Sequence, residues 1–193
     1  MKIEAHLREK DKEIFLKYIK QGKIIFEYGC GGSTYEMNEE KNIQKIYSVE
    51  SDYDWINKTL SFLPENHKVE FIFNDFEVET KLWGYPGESC SIEKKIQYSN
   101  QLGFINETID ILFIDGRFRT ACCLKSYDII KDDCIIIFDD FLDRPYYHSV
   151  LDFFEIIDRT EENSMVVLKK KKISSPNKII LKELIEKYEL DPR

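Results

Sequence analysis

Short apolar segments alternate with charged segments of helical period along most of this chain. The apolar segments predict seven strands, at residues 23–28, 45–49, 68–73, 109–114, 134–138, 154–160 and 165–170. The charged segments predict helices at 10–20, 53–63, 91–102, 118–130 and 177–188, with shorter ones after residues 33 and 148. Such alternation is typical of parallel strands linked by crossover helices. We therefore predict an α/β fold with a seven-stranded, mostly parallel sheet, an antiparallel final hairpin and helices on both faces.

The chain has 193 residues, which is enough for one domain at roughly 150 residues per domain. We place this domain at residues 1–173 and interpret 174–193, after a Ser-Ser-Pro break, as a C-terminal helical extension. The long connection after the third strand, with its helix, spans about 74–105. Long connections in compact domains are often functional, so we expect this segment to be a lid.

Composition excludes several classes of protein. The chain is 42 % hydrophobic and 13 % aromatic, as a globular protein requires, and its net charge of −8 argues against nucleic acid as a partner. No apolar run is long enough to span a membrane and the first twelve residues are charged, so we expect a cytoplasmic, intracellular protein. Five cysteines without C-x-x-C spacing predict neither a disulfide framework nor a zinc site.

Acidic residues stand at the carboxyl ends of the first five predicted strands. Ligands of open α/β sheets bind at this edge, so we expect a strongly electronegative site that favours a cationic ligand over a polyphosphate. The acids are Glu27, Glu50, Asp75, Asp115 and the pair Asp139 and Asp140.

A glycine-rich turn follows the first strand, and Glu50 lies 21 positions after Gly29. This is the layout of a Rossmann-like cofactor site, but Gly29-x-Gly31-x-x-Thr34 lacks the third glycine of the dinucleotide fingerprint. A carboxylate directly before the turn suits an ammonium group better than a pyrophosphate. S-adenosylmethionine, with a net charge of about +1, therefore fits better than NAD. The alternative is an NAD-dependent oxidoreductase, and both the missing third glycine and the acidic sheet edge argue against it.

The segment Phe26–Thr34 resembles the first motif of class I S-adenosylmethionine-dependent methyltransferases. The similarity continues through Glu50, Asn74-Asp75-Phe76, Ile114–Arg117 and Phe138–Phe141, and covers roughly residues 20–170. Asp115-Gly-Arg-x-Arg119 and Arg144-Pro-x-Tyr-His148 are similar to a small group of such enzymes associated with glycan and polysaccharide modification. The resemblance implies a Rossmann-like three-layer fold and methyl transfer to an oxygen acceptor, a sugar hydroxyl of a glycan.

The resemblance also implies which residues bind the cofactor. Glu50 would hold the ribose diol, and Asp75 with Phe76 would hold the adenine. Two alternatives stay open, since Glu27 could cap the turn and Phe76 could be an ordinary core aromatic. The methionine part would contact Glu27, Gly29, Gly31, Ser33 and Thr34, and Asp115 would also lie beside the cofactor.

Methyl transfer requires the protein to align the acceptor and to help remove its proton. Asp115, Asp140 and His148 are the candidate catalytic residues, and histidine is the side chain that is a base at neutral pH without perturbation. Arg117 and Arg119 either bind acceptor oxygens or neutralise the acids. Trp83 and Tyr85, in the predicted lid, offer flat rings that stack on sugars or on adenine.

A divalent cation is a further expectation. Catechol-type O-methyltransferases hold magnesium with acids at the ends of the fourth and fifth strands, where this chain has Asp115, Asp139 and Asp140. Mg²⁺ or Mn²⁺ is the candidate ion. A metal-dependent enzyme for small phenols and a non-catalytic binding module are therefore alternative functions. The expected partners are a small-molecule or glycan acceptor, a second copy in a homodimer, or further modules of a larger glycan-modifying protein.

Overall fold

A computed structural model describes residues 3–161, 164–172 and 177–193 of the chain. Its seven strands form one sheet in the order β3-β2-β1-β4-β5-β7-β6. Strands β1 to β5 are parallel, and β7 pairs antiparallel with both β5 and β6. The predicted topology is therefore confirmed. The strands are β1 Ile24–Tyr28, β2 Lys45–Glu50, β3 Val69–Phe73, β4 Ile111–Ile114, β5 Ile135–Phe138, β6 Phe154–Arg159 and β7 Val166–Lys170.

The helices lie on both faces of the sheet, close to where the sequence predicts them. The α-helices are α1 Glu9–Ile19, α2 Gly32–Glu39, α3 Tyr53–Leu60, α4 Ile92–Asn100, α5 Arg119–Ser126 and α6 Lys178–Tyr188. Three short 3-10 helices cover Leu82–Gly84, Gln101–Phe104 and Pro145–Asp152. The helix predicted after residue 148 is the last of these, and it begins earlier because Pro145 fits the first position of a helix.

Alternating side chains of the buried strands divide the core in two. Ile111 and Phe113 of β4 pack with α1 and α2 residues, whereas Leu112 and Ile114 pack with α4, α5 and α6 residues. This is the period-two alternation of a strand buried on both faces. All five cysteines are buried and free.

The C-terminal segment packs against α5. Leu181 and Tyr188 join the core on that side, and Lys125 of α5 forms a 3.0 Å ion pair with Glu189. The backbone N–H groups of Phe118 and Arg119 donate to the carbonyl oxygens of Pro192 and Arg193. The predicted Ser-Ser-Pro boundary at 174–176 and the middle of the predicted 161–164 turn lie outside the described residues.

The connection between β3 and α4 contains a tight loop that we call the lid tip, residues 81–85. The N–H of Lys81 donates to the carbonyl of Tyr85 at 2.7 Å, which closes the loop. Among the described helices, none has the length and apolar character needed to span a membrane.

Candidate functional site

The glycine turn after β1 is held against the end of β4. Gly29 has φ of 92°, and a Cβ there would lie 2.8 Å from the Cα of Gly116. Only glycine fits both the left-handed backbone and this close approach. The N–H of Gly31 donates to the Thr34 hydroxyl at 2.9 Å. The turn is thus a fixed backbone cradle at the centre of the sheet edge.

Glu27 lies beneath this turn and is fully buried. Its carboxylate accepts hydrogen bonds from the hydroxyls of Ser33 at 2.5 Å, Thr34 at 2.6 Å and Ser48 at 2.6 Å. Burial raises the pKa of Glu27 to about 7, although the three hydroxyls oppose that rise. This geometry supports the alternative that Glu27 braces the turn, and its contact with a methionine group stays a prediction.

Glu50 ends β2 and is tied to the same turn. Its carboxylate accepts from the N–H groups of Ser51 at 2.6 Å, Asp52 at 3.0 Å and Cys30 at 3.3 Å. Burial raises the pKa of Glu50, although these hydrogen bonds oppose that rise. The lid tip lies directly over this carboxylate, because the Ser51 hydroxyl donates to the Gly84 carbonyl at 3.3 Å.

The segment after β3 contains both an expected and an unexpected residue. Asp75 is exposed and accepts the N–H of Glu77 at 2.7 Å, whereas Asn74 is only 1 % exposed. The Asn74 amide oxygen accepts from the Gln101 side chain at 3.0 Å, which leaves the Asn74 amide nitrogen without a partner among the described residues. Sequence reasoning missed this pair. The position of Asn74 directly after a strand was a usable signal, but the approach of Gln101 depends on the fold.

Phe76 is the predicted site residue that packs into the core. It is 1 % exposed, with its ring stacked 6.0 Å from Tyr98 and edge-on at 6.2 Å to Phe118. All three rings belong to the core that lies on the α4 and α5 side of the sheet. The geometry favours the core alternative over adenine stacking.

Three aspartates after β4 and β5 surround a buried arginine. Arg119, 3 % exposed, lies 2.9 Å from an Asp115 oxygen and 3.5 Å from an Asp140 oxygen. It also donates to the backbone carbonyls of Asp139 and Gly116, each at 2.9 Å. Of the two roles left open by the sequence, this geometry favours neutralisation of the acids for Arg119.

The same three aspartates do not fit a divalent cation. Asp115, Asp139 and Asp140 each offer an oxygen within 4.8 Å of the others, which is the spacing that a metal needs. Arg119, however, already provides the positive charge among them. Burial and the two neighbouring carboxylates raise the pKa of Asp139. The expected Mg²⁺ or Mn²⁺ site is not supported.

The three candidate bases lie in the segments that follow β4 and β5. The side chains of Asp115 and Asp140 are 29 % and 24 % exposed, and Arg144 forms a 2.7 Å ion pair with Asp140. The Nε2 atom of His148 lies 3.1 Å from the carbonyl oxygen of Phe141. A carbonyl oxygen can only accept, so Nε2 is the donor of this hydrogen bond.

Backbone strain is also concentrated here. Among the described residues, the non-glycine residues with positive φ are Glu77 and Trp83 after β3, Phe118 after β4 and Asp140 after β5. All four lie in loops that follow the carboxyl ends of parallel strands. Such outliers cluster at functional sites, where surrounding structure holds them in place.

The structure places the residues predicted to bind the acceptor in two different environments. Arg117 is 9 % exposed, and its guanidinium carbon lies 4.4 Å from the centroid of the Tyr85 ring. Trp83 instead is 75 % exposed, with its ring 5.9 Å from that of His6. His6 belongs to residues 3–8, a segment that sequence reasoning missed because it has no periodic pattern. A Cβ on Gly32 would overlap the Glu4 carbonyl, so this segment runs directly against the start of α2.

Solved structures with the same architecture cover nearly the whole chain. A methyltransferase-like protein from Silicibacter pomeroyi is 22 % identical, with a TM-score of 0.84 and coverage of 99 % of both chains. Ribosomal protein L11 methylase from Lactobacillus delbrueckii subsp. bulgaricus is 10 % identical, with a TM-score of 0.58, covering 87 % of this chain and 82 % of that one. Human methyltransferase-like protein 13, solved in complex with SAH, is 14 % identical, with a TM-score of 0.52 and coverage of 97 % and 95 %.

Sequence comparison alone does not place the chain. No protein-family model matches it, and no curated protein is significantly similar to it in sequence. At these sequence identities, the structural similarity shows which fold the chain has. Together with the strand order, it shows that the chain has the class I S-adenosylmethionine-dependent methyltransferase-like fold.

Proposed function

We propose that this protein is an S-adenosylmethionine-dependent O-methyltransferase. The observation that carries the proposal is the Glu50 carboxylate. It is 8 % exposed at the end of β2, bonded to the glycine turn through the N–H of Cys30 and lying under the lid tip. A carboxylate in that position can accept both hydroxyls of a ribose.

The other residues at the edge fit the same cofactor. The turn from Gly29 to Thr34 is a backbone cradle for the methionine part, and a side chain on Gly29 or Gly116 would fill the space between them. The unpartnered amide nitrogen of Asn74 can donate to a ring nitrogen of adenine, with Asp75 beside it. Bound S-adenosylmethionine supplies an electrophilic methyl group on a sulfonium.

The chain must then orient a hydroxyl and accept its proton. Asp115 and Asp140 already have charged partners, since Asp115 lies 2.9 Å from Arg119 and Asp140 lies 2.7 Å from Arg144. His148 is held through Nε2, so Nδ1 is the ring nitrogen that carries the lone pair when the imidazole is neutral. We therefore assign proton removal to His148 and acceptor positioning to Asp115 and Asp140.

The proposed acceptor is a sugar hydroxyl of a glycan. Two features support it: the Tyr85 ring at the lid tip and the exposed ring of Trp83 beside it, since flat aromatic rings pack against sugar faces. Small phenols are the competing acceptors for the same rings, and the assay below separates the two classes.

Cofactor binding is tested by thermal unfolding with S-adenosylhomocysteine and with NAD. At a hundred times its Kd, a ligand adds about 2.7 kcal/mol, which raises the Tm of a chain this size by roughly 5–10 °C. We expect this rise with S-adenosylhomocysteine, its loss in Glu50→Ala, and its retention in the control Glu65→Ala, which removes an exposed glutamate. No rise, or a larger one with NAD, would contradict the proposal.

Activity is tested by methyl transfer to methyl glycosides and to phenols, with and without chelator. We expect product with a glycoside, no effect of chelator, and a large loss of rate in His148→Gln. Transfer to phenols alone would contradict the sugar acceptor. Cofactor binding without transfer to any member of the panel would favour a non-catalytic binding module.

A further inference from the structure

One arginine at the sheet edge differs from its neighbours. Arg119 and Arg144 are ion-paired with aspartates, but Arg117 has no carboxylate within ion-pairing distance among the described residues. Its Nε–H is buried without a hydrogen-bond partner there, although the residue is only 9 % exposed. A buried N–H donor without an acceptor among the described residues is costly, which points to a ligand at this guanidinium group.

The surroundings of Arg117 define the shape of that ligand. The Arg117 guanidinium carbon lies over the Tyr85 ring, 4.4 Å from its centroid. Because the N–H bonds of a guanidinium group lie in its plane, its hydrogen bonds form along its edge. The edge of a guanidinium group presents parallel N–H donors, and these match the two oxygens of a carboxylate. The group that fits is therefore a planar anion.

The position of Arg117 places this anion at the lid tip, on the side of the sheet where α4 and α5 pack. The backbone N–H of Arg117 donates to the hydroxyl of Tyr98, which packs with the α4 and α5 side of the sheet. The glycine turn leads instead into α2, whose Met37 packs on the opposite side. Arg117 is also two residues from Asp115 and lies against Tyr85 of the lid tip.

We propose that Arg117 and Tyr85 form a carboxylate subsite for the acceptor, so that the substrates are hydroxyl compounds carrying a carboxylate group. This inference rests on the proposed function and narrows its substrate class. In a glycan, the acceptor sugar would be a uronic acid. The subsite anchors the anion, and the hydroxyl then lies toward Asp115.

The test uses pairs of probes that differ only in the carboxylate. Methyl glucuronoside is compared with methyl glucoside, and 3,4-dihydroxybenzoate with 3,4-dihydroxybenzyl alcohol. Binding to the protein saturated with S-adenosylhomocysteine is measured by calorimetry. We expect the acidic member of at least one pair to bind at least tenfold more tightly, because hydrogen-bonded ion pairs contribute about this much or more. In Arg117→Met the preference should fall below twofold, with the Kd for S-adenosylhomocysteine unchanged.

Further variants keep the test decisive if Arg117→Met unfolds. Arg117→Lys keeps the charge but loses the paired donors, and Tyr85→Leu removes the ring that orients them, so each should reduce the preference severalfold. Arg159→Met makes the same charge change at an exposed position on β6 and should leave the preference intact.

Two results would overturn the inference. One is equal binding of both members of each pair. The other is a tenfold weaker affinity for S-adenosylhomocysteine in Arg117→Met, which would assign the anion to the cofactor. If S-adenosylhomocysteine does not bind at all, the proposed function fails, and the probe pairs are then measured on the free protein to decide the subsite separately.

Discussion

Substitution of Gly116 by alanine tests whether the ends of β1 and β4 are packed as tightly as the structure shows. A Cβ at residue 116 would overlap the hydroxyl of Tyr98 and lie 2.9 Å from both the Gly29 nitrogen and the Tyr28 carbonyl carbon. Backbone atoms cannot rotate away as a side chain can. The added methyl group must therefore push β4 from the glycine turn or displace Tyr98.

Tyr98 has little freedom to move. It is 1 % exposed, packed against the rings of Tyr28, Phe76 and Phe118, and its hydroxyl accepts the N–H of Arg117. Overpacking of a buried site costs about 1–3 kcal/mol, and contact with the Tyr28–Gly29 peptide as well as the Tyr98 hydroxyl places this site at the upper end. We expect Gly116→Ala to lower the free energy of unfolding by about 3 kcal/mol, and the Tm by roughly 6–12 °C.

The assay is urea unfolding of a double-mutant cycle with Tyr98→Phe. The single variant Tyr98→Phe loses one hydrogen bond, worth about 1 kcal/mol. In the double variant the overlap with the hydroxyl is gone. Its loss of free energy of unfolding should therefore be about 1 kcal/mol smaller than the sum of the losses in the two single variants. Gly103→Ala is the matched control, because the nearest atom to its added Cβ is 3.8 Å away. A loss below 1 kcal/mol in Gly116→Ala, or strict additivity, would refute the packing argument.

Three further predictions concern the turn and the acidic cluster. Burial raises the pKa of Glu27 to about 7 from its ordinary 4.5, so the folded state binds more protons between those values. The free energy of unfolding should therefore fall by about 3 kcal/mol as pH rises from 4.5 to 7, and urea titrations should show this slope flattened in Glu27→Gln. Thr34→Val removes the donor to Glu27 and the acceptor for the Gly31 N–H, so the free energy of unfolding should fall by about 2 kcal/mol. Calorimetry should show at least a tenfold weaker affinity for S-adenosylhomocysteine, and an unchanged affinity would contradict the role of the turn. Because Arg119 stands among the aspartates, millimolar Mg²⁺ should change the Tm by less than about 1 °C, and a clear stabilisation would show that a metal displaces it.

The fold was predictable because its signals are local. Each buried parallel strand is a short apolar run ended by an acid, and each crossover helix has its own periodicity or cap, such as Asp52 before α3. Helix ends were less predictable. The helix expected to start at residue 118 begins at Arg119, because Phe118 adopts a left-handed backbone conformation. Phenylalanine has no preference for that conformation, so the sequence does not predict it.

The site was predictable by position but not by contact. The sequence correctly places the acids at strand ends, yet which oxygen meets which donor depends on residues far away in the chain. The Asn74–Gln101 amide pair spans 27 residues, and the Tyr85–Arg117 stack joins the lid tip to the loop after β4. Similarly, Arg119 cannot be assigned to the aspartates without knowing that β4 and β5 are neighbours. Contacts between residues far apart in the chain produce no periodic pattern in the sequence.

The structure also changes the electrostatic argument for the cofactor. The acids at the sheet edge are largely compensated: Glu27 by three hydroxyls, Glu50 by three backbone N–H groups, and Asp115 by a guanidinium group. The field at the edge is therefore weaker than a count of acids suggests, so charge alone discriminates poorly between a sulfonium and a pyrophosphate cofactor. The turn discriminates better. Thr34 stands where a dinucleotide fingerprint has its third glycine, and its hydroxyl uses the Gly31 N–H that would otherwise be free to meet a phosphate oxygen.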